Sequence, residues 1–314
     1  MAVAGAPTVL ALRTLGLGDL LTAVPALRAL ARAYPAHRLV LAAPGPLAPL
    51  AELIGWRVAP VGELEPLPGE LHGPDLAVNL HGRGPESHRL VAAAAPGRAI
   101  WFEHPSVPES RGCPAWRPSE HEARRWCRLL RESGVPADPA DLHLDPPPGR
   151  PPGPSAGATL IHPGAASPAR RWPAEHFAAV ARAEVDSGRR VVVTGSRSEV
   201  PLALKVASRA GLPSEAVLAG LTDLIGLARA VAAADRVICG DTGVAHLATA
   251  FGTPSLLLFG PSSPDEWGPP SGSAKHRVLW AGATGDPHAD VPDAGLLEIG
   301  VSQALDALAD LGAE

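Results

Sequence analysis

Short apolar runs alternate with longer helical patterns along most of this chain, and that alternation is the strongest constraint on its fold. The first half has three runs with the apolar character of buried strands: TVLALRTL (8–15), HRLVLAAPG (37–45) and DLAVNLHG (75–82). The second half has four: ATLIHPGAAS (158–167), RRVVVTGS (189–196), DRVICGD (235–241) and PSLLLFG (254–260). Strands that alternate with helices at this spacing form parallel sheets with helices on both faces. The sequence therefore predicts an α/β fold.

A proline-rich segment, DPPPGRPPGPSAG (145–157), separates the two halves. Proline is disfavoured in helix interiors and central strands, so this segment predicts a semi-rigid, extended linker. We predict a first domain over residues 1–147, a linker over 148–157 and a second domain over 158–314. Both domains are predicted to be Rossmann-like and to face each other across a cleft, with ligands beyond the carboxyl ends of the strands. Further helices are predicted over 115–134 and, in the tail, over 295–311.

Composition and charge exclude several classes of protein. The net charge of −5 and the isoelectric point near 6.2, without a dense Lys/Arg stripe, argue against a nucleic-acid partner. Cys113, Cys127 and Cys239 have no CxxC spacing, which predicts neither disulfides nor a zinc site and suits a reducing cytoplasm. The stretch MAVAGAPTVLAL lacks basic residues before its apolar part, and no apolar run approaches the roughly 18 residues of a membrane span. We expect a cytoplasmic protein without a signal peptide and with at most peripheral membrane contact; the oligomeric state is not predicted.

The most informative segment of the second half is RVICGDTGVAHLATAFGTPSLLLFGPSSPDEWGPP (236–270). Asp241, Thr242 and Gly243 follow a predicted strand and open a helix, and His246 lies about one turn further on. Glycine allows a ligand to approach the backbone, and the free N–H groups of a helix start attract phosphate. In the alternative interpretation, Asp241 or Thr242 only caps the helix and His246 is a hydrogen-bonded core residue.

The segment IHPGAASPARRWPAEHF (161–177) repeats this arrangement at the first strand of the second half. A loop of small residues, 164–167, precedes Arg170 and Arg171. A guanidinium presents a planar fork of donors that matches phosphate oxygens. Alternatively, one or both arginines are solvated surface charges.

Three stretches together resemble glycosyltransferase family 9, the relatives of the ADP-heptose–lipopolysaccharide heptosyltransferases. They are LGLGDLLTAVPALRAL (15–30), RRWP (170–173) and the run from DTGVAH to WGPP (241–270), in the family's order and over nearly the whole chain. The resemblance implies an inverting, metal-independent transferase of the GT-B architecture. It implies that the second domain holds a nucleotide-diphosphate sugar and the first an acceptor, with no cofactor, since the nucleotide sugar is a substrate.

The resemblance also implies roles for residues of the second domain. The implied donor-binding residues are Ala166, Ser167, Leu221, Asp241, Thr242, Gly243 and His246, with Glu199 and Arg171 as further candidates. Arg170 stands where the family usually has lysine, and we expect it to stabilise the departing diphosphate.

In the first domain, Asp19 corresponds to the family's catalytic base. Inverting transfer needs a base for the proton of the acceptor hydroxyl and positive charge for the leaving group. The other interpretation is that Asp19 is only the N-cap of the following helix. Gly18 is a candidate for acceptor contacts, and so are three side chains of the predicted polar loop over 81–89: His81, Arg83 and His88. A surface role for the side chains of that loop stays open.

We therefore expect an enzyme that transfers a sugar, heptose, from ADP-heptose to a hydroxyl group. The acceptor is a glycolipid or polysaccharide, or else a small soluble natural product. Two other functions fit the same fold: a nucleotide-sugar epimerase, and a nucleotide-sugar-binding protein without catalysis.

Overall fold

The computed structural model describes residues 6–311, so the signal-peptide prediction falls partly outside the described residues. The chain divides after Leu142 into two compact units, the first ending at Leu142 and the second beginning at His143. This division lies just before the predicted end of the first domain at residue 147. Each unit is described separately below.

The first unit contains a parallel sheet in the order β3-β2-β1-β4-β5. Its strands are β1 (Thr8–Leu12), β2 (Arg38–Ala43), β3 (Arg57–Pro60), β4 (Leu76–Asn79) and β5 (Arg98–Ile100). Its helices are α1 (Leu17–Ala33), α2 (Ala48–Glu52), α3 (Glu86–Ala93) and α4 (Glu122–Glu132). The central strand β1 is covered on both faces, and its residues 9–12 are at most 1% exposed. That is why residues 9–12 (VLAL) are apolar throughout instead of alternating.

The predicted helix over 115–134 is wrong in its first half. The helix begins only at Glu122, because Pro118 cannot lie in a helix interior and His121 is the N-cap, its Nδ1 accepting a hydrogen bond from the amide of Ala123 at 3.2 Å. Within residues 115–121, Trp116 packs at right angles against Phe102, with 5.1 Å between the ring centroids.

The second unit contains a parallel sheet in the order β10-β9-β8-β6-β7. Its strands are β6 (Thr159–His162), β7 (Val191–Val193), β8 (Arg236–Gly240), β9 (Ser255–Phe259) and β10 (His276–Trp280). Its helices are α5 (Ala174–Asp186), α6 (Val200–Ala210), α7 (Leu224–Ala233), α8 (Gly243–Phe251), α9 (Pro264–Trp267), α10 (Ala294–Glu298) and α11 (Val301–Leu311). Together, the two sheets with their helices confirm the predicted α/β class and its two Rossmann-like domains.

The tail is not the single helix predicted over 295–311. Helices α10 and α11 are separated at Ile299, whose backbone is extended and whose carbonyl accepts a hydrogen bond from the indole of Trp172 at 2.9 Å. Ile299 itself is 4% exposed, so its side chain and its carbonyl both hold the break in place.

The proline-rich segment and the residue before it pack on the second unit. That residue, Leu144, is 1% exposed, and its amide donates to the carbonyl of Ala250 at 2.8 Å. The guanidinium of Arg229 donates to the carbonyl of Pro148 at 2.8 Å. These contacts fasten the backbone of residues 144–148 to helices α7 and α8. No helix among residues 6–311 is both long enough and apolar enough to cross a bilayer.

Candidate functional site

Asp19 lies in the first turn of α1, the helix that follows β1. Gly16 is the N-cap of this helix, and Oδ2 of Asp19 accepts a hydrogen bond from the Gly16 amide at 3.2 Å. The interpretation of Asp19 as the N-cap is therefore wrong, although its carboxylate does stabilise the helix start from the third helical position. The side chain remains 26% exposed, so a ligand can reach it.

A buried cation, Arg13, holds Asp19 from the interior. Its side chain is 0% exposed, and its Nη2 lies 3.3 Å from Oδ1 of Asp19. Its Nε donates to the main-chain carbonyl of Asp19 at 2.7 Å. Sequence reasoning missed Arg13. The available signal was a charged residue that follows the apolar strand β1 without a break, since such a charge is buried only when it is paired.

The predicted polar loop after β4 contains side chains with very different surroundings. Nδ1 of His81 lies 3.2 Å from the hydroxyl of Thr14. Burial, assisted by the nearby cation of Arg13, lowers the pKa of His81, while Glu63 and Asp19 oppose the shift. His81 is therefore neutral near pH 7.

The other candidates of the first unit, Arg83, Gly18 and His88, differ in their surroundings. Arg83 is exposed, and Gly18 is half-buried inside α1. His88 is fully buried in α3, where Nε2 donates to the carbonyl of Phe102 at 2.7 Å. Neither role considered for His88, acceptor contact or surface residue, fits that position.

In the second unit, Asp241, Thr242 and Gly243 form the turn from β8 into α8. Asp241 is 5% exposed, and its amide donates to the carbonyl of Leu258 at 3.1 Å. Thr242 is the N-cap, but its side chain makes no capping hydrogen bond. His246 is half-buried one turn along, with its ring at right angles to Trp267 and 6.2 Å between centroids. The turn therefore presents a helix start together with a hydroxyl that does not cap it.

The two neighbouring arginines have different surroundings. Nη1 of Arg170 lies 3.7 Å from Oδ2 of Asp241 and 3.4 Å from its carbonyl oxygen. The Arg170 side chain is 22% exposed. Arg171 instead donates twice to the carbonyl of Ala165, at 2.9 and 2.8 Å. Arg170 thus stands beside the start of α8, whereas Arg171 braces the preceding loop.

That loop is also fastened to a distant part of the chain. The hydroxyl of Ser167 donates to the carbonyl of Ala289 at 3.0 Å, and the amide of Ala169 donates to the same carbonyl at 3.2 Å. The amide of Asp293 donates back to the carbonyl of Ala169 at 3.1 Å. Ser167 is 8% exposed, and Ala166 is exposed. Ser167 orders the loop through its side chain, and Ala166 is the residue a ligand can reach.

Glu199 lies over the carboxyl end of β6. Its Oε2 accepts a hydrogen bond from the amide of Ser196 at 2.7 Å. A β-carbon built on Gly164 would be 2.0 Å from Oε1 of Glu199, so only glycine at 164 leaves room for this carboxylate. Burial lowers the pKa of His162, and the charge of Glu199 opposes that shift.

Leu221 lies at the end of a segment that runs beside β7. Val217 bridges to Val193, and the amide of Gly220 donates to the carbonyl of Gly195 at 2.9 Å. Gly220 has a φ of +72°, which favours glycine, and Leu221 beyond it is 77% exposed. An apolar side chain this exposed is available to a flat apolar ligand group.

These second-unit groups lie at the carboxyl ends of three adjacent strands, β8, β6 and β7. Asp241 follows β8, Gly164 with Glu199 above it follows β6, and Gly195 with Leu221 nearby follows β7. Two strand spacings separate the outer pair, roughly 10 Å. The edge of the sheet therefore offers a cation and helix start at one end, a carboxylate in the middle and an exposed apolar side chain at the other end.

No group of three or more His, Cys, Asp or Glu residues within 6–311 is arranged to hold a metal ion. Among the described residues, Cys113, Cys127 and Cys239 are free thiols. Burial raises the pKa of the Cys127 thiol to about 12 and also raises that of Cys239, so both are protonated near neutral pH.

Comparison with known proteins gives a consistent result. A family model described as glycosyltransferase family 9 (heptosyltransferase) matches residues 117–288, more than half of the chain. Lipopolysaccharide heptosyltransferase 2 of Escherichia coli (strain K12) is 37% identical over 118 residues, which are 36% of this chain and 32% of that protein. The matched region thus spans about a third of the length of this curated relative.

Solved structures match over almost the full length of the chain. The E. coli ADP-heptose lipopolysaccharide heptosyltransferase II covers 97% of this chain and 98% of its own, with 22% identity and a TM-score of 0.74. The E. coli heptosyltransferase WaaC with ADP covers 97% and 100%, with 20% identity and a TM-score of 0.71. At 20–22% sequence identity, the similarity shows that the fold is shared.

Proposed function

The chain belongs to glycosyltransferase family 9, as its motifs predicted, and we propose that it transfers heptose from ADP-heptose to an acceptor hydroxyl with inversion and without a metal ion. The names of its relatives support this donor, and they favour a lipopolysaccharide-type glycolipid as acceptor over a small soluble molecule. The free thiols fit a reaction in the cytoplasm.

The proposed reaction is a single displacement. The acceptor oxygen forms a bond to the anomeric carbon while Asp19 takes the hydroxyl proton. The bond between that carbon and the diphosphate oxygen breaks, and ADP leaves with the electron pair. Attack opposite to the leaving group inverts the configuration. Since the diphosphate gains negative charge, groups that stabilise it lower the barrier.

One observation carries this proposal more than any other: Arg170 stands beside the start of α8. Its Nη1 lies 3.7 Å from Oδ2 of Asp241, which directs the guanidinium towards the turn. Of the first three amides of α8, that of Ala245 donates to the carbonyl of Thr242 at 2.9 Å, which leaves those of Gly243 and Val244. The Thr242 side chain makes no capping bond to them. A diphosphate would meet a cation and a helix start together, which is how proteins commonly bind phosphates.

The proposed base is supported by its surroundings in the first unit. Each carboxylate oxygen of Asp19 has one donor nearby, Gly16 for Oδ2 and Arg13 for Oδ1. An ionised carboxylate accepts about four hydrogen bonds, so capacity remains for the acceptor hydroxyl. Asp19 is therefore held in place without being saturated.

The test uses purified protein with ADP-heptose and lipopolysaccharide from cells that lack heptosyltransferase activity. Mass spectrometry should detect an acceptor heavier by one heptose, also after treatment with a metal chelator. Asp19→Asn should lower kcat about 10²- to 10⁴-fold, the usual contribution of a positioned base, and should leave the Kd for ADP unchanged. Asp138→Asn, at an exposed carboxylate that accepts from the amide of Ala140, is the matched control and should keep wild-type activity.

Other outcomes separate the remaining functions. An epimerised sugar nucleotide formed without acceptor would indicate an epimerase. Tight binding of ADP-heptose without any turnover would indicate a binding protein. Full activity of Asp19→Asn would remove Asp19 from the mechanism.

A further inference from the structure

Arg13 connects Asp19 to the interior of the first unit through all three of its side-chain nitrogens. Nε donates to the main-chain carbonyl of Asp19, and Nη1 donates to that of Leu80. Nη2 faces three oxygens: Oδ1 of Asp19 at 3.3 Å, Oγ1 of Thr22 at 3.2 Å and Oε1 of Glu122 at 3.2 Å. One guanidinium therefore fixes both the backbone and the carboxylate of Asp19.

Glu122 places Arg13 from a different element, helix α4. It is 5% exposed, and its Oε1 also accepts a hydrogen bond from the indole of Trp126 at 3.1 Å. Its Oε2 forms an ion pair with Arg125. The Arg13 guanidinium lies 4.8 Å from the centroid of the Trp126 ring. Two side chains of α4, one turn apart, thus determine where the guanidinium stands.

The four charged groups form a chain of alternating sign: Arg125, Glu122, Arg13 and Asp19. Nη2 of Arg13 has two hydrogens for three acceptor oxygens, so the direction of its hydrogen bonds depends on the charge of Glu122. A neutral amide at position 122 would keep the size of the side chain. Its NH₂ group would face a donor on either side, Arg125 or else Arg13 with Trp126, so the hold on Arg13 would weaken.

We propose that Arg13 is a positioning residue for Asp19 and that Glu122 fixes Arg13 in this role. The proposal rests on the proposed function, in which Asp19 takes the acceptor proton. Arg13 and Glu122 act on the reaction only through Asp19. Their loss should therefore reduce turnover and leave nucleotide binding unchanged.

The experiment measures release of ADP from ADP-heptose, with heptose-deficient lipopolysaccharide as acceptor, in Arg13→Lys and Glu122→Gln. Glu120→Gln is the matched control, because Glu120 is a half-buried carboxylate that, like the buried Glu122, is paired with an arginine of α4. Its Oε2 lies 2.8 Å from Nη2 of Arg128, and its contacts are to Arg128 instead of Arg13.

We expect kcat to fall about 100-fold in Arg13→Lys and about 10-fold in Glu122→Gln, the scale of a catalytic group displaced by an ångström or less. The KM for ADP-heptose and the Kd for ADP should stay within about twofold of wild type, and Glu120→Gln should keep its kcat. Added to Asp19→Asn, either substitution should cause no further loss, because residues that act as a unit are not additive.

The outcomes distinguish this proposal from the proposed function. If Asp19→Asn is as active as wild type, the proposed function fails at its base. If Asp19→Asn is impaired and Glu122→Gln behaves like Glu120→Gln, only the positioning role is refuted. A further loss of kcat on top of Asp19→Asn also refutes it. Should Arg13→Lys not fold, as judged by thermal unfolding, Glu122→Gln decides alone.

Discussion

Replacement of Gly164 by alanine should weaken donor binding without destabilising the fold. The new β-carbon would be 2.0 Å from Oε1 and 2.3 Å from Cδ of Glu199, so the carboxylate must move by more than an ångström. It would then lose its hydrogen bond from the amide of Ser196, now 2.7 Å long. Only the end of a flexible side chain has to move, and the backbone at 164 is not left-handed, so alanine fits the chain itself.

The expected magnitudes separate stability from binding. The lost hydrogen bond costs about 1 kcal/mol of stability. The exchange of glycine for alanine stabilises the protein by about 0.4–1 kcal/mol, because alanine leaves the unfolded chain fewer conformations to lose on folding. The free energy of unfolding should therefore change by less than about 1 kcal/mol. If the Glu199 carboxylate binds a hydroxyl of the donor nucleotide, its displacement removes a charged hydrogen bond of about 1.5–3 kcal/mol. That corresponds to a rise of about 10- to 150-fold in the Kd for ADP.

Isothermal titration calorimetry with ADP and thermal unfolding measure the two quantities. Gly164→Ala should bind ADP as weakly as Glu199→Ala does. Gly69→Ala is the matched control, because a β-carbon there meets no atom within 4 Å. Wild-type affinity in Gly164→Ala would refute the reasoning, and so would weak binding in Gly164→Ala alongside normal binding in Glu199→Ala.

Two further predictions concern the second unit. Leu221→Ala should change the free energy of unfolding by less than about 0.5 kcal/mol. It should raise the Kd for ADP about fivefold, because an apolar contact of about 1 kcal/mol is lost. The control is Leu204→Ala, at a leucine of α6 that is 49% exposed, which should change neither quantity. Burial, assisted by Lys275, lowers the pKa of His276 to about 4, so the neutral ring contributes stability above pH 6.5 that is lost as the pH falls towards 4. The urea midpoint of the wild type should drop between pH 7 and pH 4. Over that range the free energy of unfolding should fall by about 2–3 kcal/mol. The drop should be smaller in His276→Gln, and an equal drop there would show that His276 does not cause the loss of stability. His288→Gln, at an exposed histidine, serves as the control.

The strands that sequence analysis identified are those whose residues are mostly buried. Residues 9–12 (VLAL) and 237–240 (VICG) are apolar because β1 and β8 are covered on both faces. The strands β3 (Arg57–Pro60), β5 (Arg98–Ile100) and β10 (His276–Trp280) were not predicted. Each is partly exposed at a sheet edge, which leaves no sustained apolar pattern, whereas the edge strand β7 is fully buried and was predicted.

The candidate site was predictable only where its residues form a local motif. Asp19 and the turn from Asp241 to His246 follow glycine turns and resemble the family, so sequence indicated them. The partnership of Arg13 with Glu122 spans 109 positions, and that of Ser167 with Ala289 spans 122. Such pairs are created by tertiary packing, and no spacing in a single sequence encodes them.

The strand order of the second sheet has a consequence for how donor preference can diverge. The turn proposed to bind the phosphates follows β8, whereas Leu221 lies beside β7, with β6 between them. The segment 217–221 pairs with Val193 and Gly195 at the end of β7, two strand positions away from β8 and the turn that carries Asp241. In the proposed enzyme, substitutions in the segment 217–221 can therefore change the preferred nucleobase. The turn and Arg170, which stabilise the leaving group, stay unchanged. The two determinants form separable modules of one sheet edge.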